Sequence, residues 1–267
     1  MKSKIRNLTI TASLCVAVLL MAQGIFAQQS TSAAMRPEGR LYATAAAGAK
    51  LLTVNLESKT VTVIGNTGFP FSLALALCPG GGAYTITNTF DPNKAQLATL
   101  NLRTGAARLV GSPLGQALST MGMTCSRDGT LYAIGQANSM DPDYNSLYTV
   151  DRETGLARRI GPTSVSAGMG GFLMALAFAP DGTLYGANVK ALFRIDRFSG
   201  YAMKVVDFMG VTSVMGLAID EDGNFCIADF VAQSSIYMLN VATGMATPIL
   251  NTGLPFVHNI AFKKEDD

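Results

Sequence analysis

The chain has 267 residues, of which 49% are hydrophobic and only 14% are charged, with a formal net charge of +2. This composition excludes a disordered or highly charged chain, and the length excludes a disulfide-stapled miniprotein. The sequence contains 27 glycines, one histidine, four cysteines and no tryptophan. Such a glycine content is typical of many short strands joined by tight turns.

The first 27 residues have the pattern of a secretory signal peptide. Three cations, Lys2, Lys4 and Arg6, precede a nearly unbroken apolar run over residues 8–21, and small residues follow as far as Ala27. We expect cleavage after Gly24 or Ala27 and a secreted or periplasmic protein without an integral membrane segment, and the alternative is an uncleaved anchor. Without these cations the side-chain balance becomes −1, so nucleic acid is not an implied partner. Residues 28–39 are predicted to be a flexible lead-in, and residues 40–267 a single domain.

That domain repeats a unit of about 40 to 50 residues. One copy runs from Met174 to Gly200, and the next from Met215 to Gly244. Each copy holds four short apolar or alternating runs, which we predict to be strands A to D of one antiparallel sheet. An Asp-Gly turn joins A to B, as at Asp181-Gly182, and an Asx-x-x-Thr-Gly turn joins C to D. Four-stranded units of this length are typical of β-propeller blades.

The two ends of the domain supply complementary parts of one blade. Residues 40–65 provide strands B, C and D without a preceding strand A, whereas residues 257–262 provide a strand A without a following strand B. Four complete units and this composite unit predict an all-β, five-bladed propeller whose ring is closed by a blade shared between the N- and C-terminal ends. An open solenoid or a sandwich is the alternative.

Individual copies resemble NHL-repeat and gluconolactonase-like propellers. The resemblance lies in Phe225-Cys-Ile-Ala-Asp229, in the following Ile236-Tyr-Met-Leu239, and in the Asp-Gly-Thr-Leu-Tyr copies, and it extends over nearly all of the domain. It implies a propeller fold and, for the lactonase-like members, a metal-assisted hydrolytic activity. No metal ligand of those members is matched by a specific residue of this chain, which also has five blades where these families often have six.

The direction of the strands separates two ends of the ring. The A–B and C–D turns share one end, called the turn end here, and the B–C and D–A loops share the other, called the loop end. Of the 18 acidic residues, most lie in turns or near the chain termini, where turn chemistry or solvation accounts for them. Five aspartates fall in the variable loops of the loop end: Asp91, Asp141, Asp143, Asp207 and Asp229.

We therefore predict a ligand site at the loop end, because variable loops on a rigid ring are where specific recognition is built. The predicted ligand-binding residues are Asp91, Asp143, Asn188, Asp229, His258 and Asn259. The longest B–C loop could in addition hold calcium through the alternating oxygen ligands Asp141, Asp143 and Asn145. The alternative is a polar loop with Asx turns, and no cofactor is required.

Two classes of function are compatible with this sequence. The first is a secreted binding or scaffolding propeller that holds a small molecule, a glycan or a protein at the loop end. The second is a metal-assisted hydrolase of the lactonase kind. The single histidine and the few spare acids favour binding. Of the cysteines in the domain, Cys78 and Cys125 could form a bridge, but the usual spacing of neighbouring inner strands favours buried thiols.

Overall fold

The computed structural model describes residues 39–91, 93–115, 119–136, 145–165, 169 and 171–263. The predicted signal segment and nearly all of the lead-in lie outside these residues. Twenty strands form five antiparallel sheets of four, so the predicted five-bladed propeller is confirmed. The described residues include no helix that is long and apolar enough to cross a membrane.

Blades 2 to 5 are each built from four consecutive strands, of which the first lies innermost. In blade 2 these are β4 (Ala76–Cys78), β5 (Gly82–Thr87), β6 (Gln96–Leu100) and β7 (Ala107–Pro113), and in blade 3 they are β8 (Ser119–Cys125), β9 (Leu131–Gln136), β10 (Asn145–Val150) and β11 (Ala157–Pro162). Blade 4 contains β12 (Ala175–Phe178), β13 (Leu184–Ala187), β14 (Ala191–Ile195) and β15 (Ala202–Asp207), and blade 5 contains β16 (Val214–Ile219), β17 (Phe225–Asp229), β18 (Ser235–Leu239) and β19 (Ala246–Asn251).

Blade 1 closes the ring with strands from both ends of the chain, as predicted. Its sheet order is β20-β1-β2-β3, formed by β20 (Ile260–Lys263), β1 (Arg40–Ala45), β2 (Lys50–Asn55) and β3 (Thr60–Asn66). Ile260 pairs with Ala43 in an antiparallel register, and backbone hydrogen bonds of 2.9 and 3.0 Å join Thr44 to His258 and Asn259. The C-terminal strand is therefore hydrogen-bonded into the sheet and supplies its innermost edge.

Small residues allow neighbouring inner strands to approach each other. A Cβ atom at Gly122 would lie 2.7 Å from the carbonyl oxygen of Met174 in the next blade, and one at Gly216 would lie 2.8 Å from that of His258. Such distances leave no room for a methyl group unless the backbone moves. The alternation of small and large residues in the A strands is thus a consequence of blade packing near the axis.

The close approach of the inner strands also corrects the prediction for two cysteines. Cys78 and Cys125 stand at the ends of β4 and β8, with a Cα–Cα distance of 5.1 Å, and they form a disulfide. The usual spacing of neighbouring inner strands favours buried thiols, but the ends of these two strands at the turn end lie within bridging distance. Cys226 is a buried free thiol, and burial raises its pKa well above the ordinary value.

Candidate functional site

The axis of the ring is filled with apolar side chains where the inner strands begin, at the loop end. Leu73, Met121 and Met174 are buried together, and Phe172 and Met215 pack against them. These residues come from blades 2 to 5, and the matching position of blade 1 is His258. The loop end therefore has a packed apolar centre, and contacts with a ligand would fall on the loops around it.

His258 and Asn259 are the two predicted site residues that the structure brings together. The Nδ1 atom of His258 lies 3.3 Å from the Nδ2 atom of Asn259, which also donates a 2.9 Å hydrogen bond to the carbonyl oxygen of Met121 in blade 3. His258 is 1% exposed, and burial lowers its pKa from 6.5 to about 3. Its imidazole is therefore neutral at physiological pH, and the pair joins the closing strand to the apolar centre.

Asn188 and Asp229 use their polar atoms on the protein itself. The Nδ2 atom of Asn188 donates to the carbonyl oxygens of Met169 and Gly171, while its Oδ1 atom accepts from two backbone amides of its own loop. Asp229 accepts a 2.6 Å bond from the Ser235 amide and a 2.9 Å bond from the Tyr237 hydroxyl. Both side chains are buried, and both fix the shape of a B–C loop.

Asp91 is a surface residue of the loop end. Its carboxylate lies 3.0 Å from the Lys94 ammonium and accepts a 3.1 Å hydrogen bond from the Asn93 amide. The contact with Lys94 is the main cause of the lowered pKa of Asp91. Among the described contacts, this carboxylate does not meet the other predicted site residues.

The predicted calcium loop lies largely outside the described residues, since Asp141 and Asp143 belong to residues 137–144. Asn145 is described as the first residue of β10, and its Oδ1 atom accepts hydrogen bonds from the Thr163 hydroxyl and the Leu173 amide. Within the described part of the chain, no three His, Cys, Asp or Glu side chains are close enough to share a metal ion.

Two exposed phenylalanines are the feature of the loop end that the sequence reasoning missed. Phe71 lies in the D–A loop before β4, Phe256 lies in the D–A loop before β20, and their side chains are 41% and 40% exposed. Both have left-handed backbone conformations, with φ angles of 51° and 54°. For a bulky side chain this conformation costs about 1–2 kcal/mol per residue, so the surrounding structure must enforce it.

Contacts between adjacent loops enforce these conformations. The carbonyl oxygen of Phe71 accepts a 2.8 Å bond from the Thr89 hydroxyl, and the amide of Phe256 donates a 2.8 Å bond to Val231. Each ring also meets a second phenylalanine in the neighbouring B–C loop. The ring centroids of Phe71 and Phe90 are 4.9 Å apart, and those of Phe256 and Phe230 are 5.0 Å apart.

The sequence contains a pattern that could have revealed these pairs. Residues 66–71 read Asn-Thr-Gly-Phe-Pro-Phe and residues 251–256 read Asn-Thr-Gly-Leu-Pro-Phe. This near repeat builds the same D–A loop on both sides of blade 1, and each copy presents its last phenylalanine to solvent. We call Phe71, Phe90, Phe230 and Phe256 the phenylalanine pairs.

Comparison with known proteins supports the fold and does not extend to a family. No protein-family model and no curated protein sequence matches the chain. A protein of unknown function from Bacteroides thetaiotaomicron is similar in structure, with 15% identity and a TM-score of 0.55. The similarity covers 87% of this chain and 66% of that protein, so this chain spans just under two thirds of its length.

Two further solved structures are similar over most of this chain. One is that of a nidogen/laminin complex, with 14% identity, a TM-score of 0.54, and coverage of 85% of this chain and 83% of the other. Another is a gluconolactonase from Xanthomonas campestris, with 17% identity, a TM-score of 0.50, and coverage of 80% and 72%. At such identities the similarity concerns the fold alone, and the chain is a five-bladed β-propeller.

Proposed function

We propose that this protein is a secreted or periplasmic binding propeller whose loop end holds a protein partner through the phenylalanine pairs. The observation that carries the proposal is that Phe71 and Phe256 are exposed although their backbone conformations are unfavourable. The D–A loops impose this conformation at matching positions, and at two of them it is retained with an exposed phenylalanine, a bulky residue that disfavours it. Aromatic residues, phenylalanine among them, are also enriched at the cores of protein–protein interfaces.

The form of the surface favours a protein over a small molecule or a glycan. Leu73, Met121 and Met174 fill the centre of the loop end, so the phenylalanine pairs stand on loops around a packed surface. Phe90 is 56% exposed and extends the apolar area beside Phe71. An exposed apolar patch rimmed by polar loops matches the apolar centre and polar rim of protein interfaces.

Two features support location outside the cytoplasm. The first 27 residues have the order of a signal peptide, with cations followed by an apolar run and small residues. The disulfide between Cys78 and Cys125 belongs to an oxidising compartment, since cytosolic thiols are kept reduced.

The alternative is a metal-assisted hydrolase of the lactonase kind. Such catalysis needs a metal held by several protein ligands, with an open position for water or substrate. Among the described residues of the loop end, Asp229 and Asn188 are engaged in loop hydrogen bonds and Asp91 is paired with Lys94. These interactions are structural, and we therefore place binding before hydrolysis.

The test is affinity capture from an extracytoplasmic extract with the wild type and a Phe71→Ser/Phe256→Ser variant. Serine is a matched replacement because Ser213 occupies the equivalent position before β16 with a φ of 57°. We expect a protein that is retained by the wild type and retained at least about ten-fold less by the double variant, with both folded. Phe198→Ser is the control, because Phe198 is 79% exposed but lies in a C–D turn at the turn end.

Two results would contradict the proposal. In one, the same protein is retained equally by the wild type and the double variant. In the other, the phenylalanine-dependent ligand is a glycan or a small molecule, which would contradict the assignment of a protein partner.

A further inference from the structure

A pocket of about 180 Å³ lies at the turn end, opposite the phenylalanine pairs. It is formed where the A–B turns of blades 3, 4 and 5 meet the two terminal strands of blade 1. The hairpins of this end are individually short and repetitive. The pocket therefore depends on how turns from different blades come together, which no single repeat reveals.

The walls of the pocket are partly apolar. Phe178, Ile219 and Phe262 are half-buried side chains from blades 4, 5 and 1. The ring of Phe178 is held in place by an edge contact with Tyr132, at a centroid distance of 5.4 Å and an interplanar angle of 72°. An apolar group of a ligand would find rigid aromatic and aliphatic surface here, which is what small-molecule sites commonly provide.

Charges of opposite sign come from different blades around this apolar surface. Arg127 belongs to the turn of blade 3, and Lys263 belongs to β20 of blade 1. Glu221 and Asp222 belong to the turn of blade 5, which stands between them in the ring. Phe178 and Pro180 of blade 4 come between the turns of blades 3 and 5 in the order of the ring. Arg127 and the anionic turn thus flank the apolar surface of blade 4, with Lys263 beyond the anionic turn, and the side chains of Arg127 and Glu221 are exposed to an incoming ligand.

The buried carboxylate of the pocket serves the turn itself. Asp220 accepts hydrogen bonds from the amides of Asp222 and Asn224 at 3.0 and 2.7 Å, and its Oδ2 atom accepts one from the side-chain nitrogen of Asn224 at 2.8 Å. These bonds fix the conformation of the blade 5 turn, and with it the position of Glu221. The anionic side is therefore presented by a turn of defined shape.

We propose that this pocket binds a small zwitterion with an apolar side group, of the class of free apolar α-amino acids. The carboxylate pairs with Arg127, the ammonium group pairs with Glu221, and the side group packs against Phe178 and Phe262. A ligand with a single charge would pair with charged side chains of one sign and leave those of the other sign without a partner. No residue of the loop end lines this pocket, so ligand binding here is independent of the proposed function of the phenylalanine pairs.

The test is calorimetric titration with L-leucine as the probe, compared with N-acetyl-L-leucine and L-leucinamide. The first derivative lacks the ammonium group and the second lacks the carboxylate. We expect L-leucine to bind in about the millimolar range and each derivative to bind at least about ten-fold more weakly. Arg127→Gln and Glu221→Gln should each weaken L-leucine binding by a similar factor without a change in melting temperature, because both side chains are exposed.

The control variant is Arg197→Gln, which removes a turn-end cation that lies over the Phe198 ring at 4.9 Å and does not line the pocket. It should bind L-leucine like the wild type. The proposal is overturned if L-leucine does not bind, if the two derivatives bind as tightly as L-leucine, or if Arg197→Gln weakens binding as much as Arg127→Gln. None of these results bears on the partner of the phenylalanine pairs.

Discussion

Polar side chains have different structural roles at the turn end and at the loop end of the ring. At the turn end, aspartates stabilise the turns in which they stand. Asp151, for example, accepts hydrogen bonds from the amides of Glu153 and Thr154, and the bond with Thr154 is the largest cause of its lowered pKa. Asp181 accepts a bond from the Thr183 amide in the same way. The repeated residues of this end therefore serve the hairpins.

The loops at the other end depart from the repeat. Asn188 and Asp229 hold together backbone segments that differ from blade to blade, and Phe71 and Phe256 occupy unfavourable backbone conformations while exposed. Repeated residues thus serve folding, whereas the exposed phenylalanine rings are not required by the loop, since Ser213 adopts the same conformation with a small side chain. Changes to the turn-forming aspartates should therefore lower stability, and changes to the phenylalanine pairs should lower binding.

The largest effect is expected from removing the closing strand. Deletion of residues 257–267 takes away β20 and uncovers β1, whose Leu41 and Ala43 are completely buried. We expect the single unfolding transition to be lost or the chain to dimerise through the open edge, as measured by thermal unfolding and light scattering. Deletion of residues 264–267 alone, beyond β20, should change neither property. An unchanged monomeric transition after the longer deletion would contradict closure by β20.

A smaller loss of stability is expected from removing the disulfide. The bridge joins residues 47 positions apart, and closing a loop of that length stabilises the fold by about 4 kcal/mol through the entropy of the unfolded chain. A Cys78→Ala/Cys125→Ala variant should lose about this much in urea unfolding and should no longer respond to reductant. Cys226→Ala should retain the response of the wild type. Equal unfolding midpoints for the wild type with and without reductant would show that the bridge does not stabilise the ring.

The pH dependence of stability tests a buried residue at the loop end. His258 has a pKa of about 3 in the folded state against 6.5 for the free side chain. As the pH falls from 6.5 towards 3, the unfolded chain binds a proton that the folded chain does not, so the free energy of unfolding decreases by up to about 1.4 kcal/mol per pH unit. Because this is the chain's single histidine, the interval from about pH 6.5 to 5.5 reports on it before the carboxylates titrate.

The matched control for that experiment is His258→Gln, which keeps a polar side chain of similar size and removes the titration. Its free energy of unfolding should be nearly constant over the same interval, as followed by urea unfolding at each pH. The same slope in both proteins would show that another group causes the pH dependence.

The ring was predictable from the sequence because its determinants are periodic. The Asp-Gly and Thr-Gly turns recur in register, and the complementary end fragments can pair only if the ring closes. The disulfide was not predicted, since it depends on the distance between two inner strands. Asn188 and Asp229 form hydrogen bonds with backbone atoms whose positions depend on the folded loops. The repeat pattern of the sequence does not indicate which backbone atoms these are. In the sequence, the phenylalanine pairs are indicated only by the similarity between residues 66–71 and residues 251–256.

The most direct test of the loop end as the recognition surface is site-specific photo-crosslinking in an extracytoplasmic extract. A photoreactive phenylalanine analogue would replace Phe90 in one protein and Phe198 in another, since both rings are exposed, at 56% and 79%, but lie at opposite ends of the ring. We predict a discrete protein adduct from position 90 and none of the same mass from position 198. An adduct from position 198 alone, or the same adduct from both positions, would contradict recognition at the loop end.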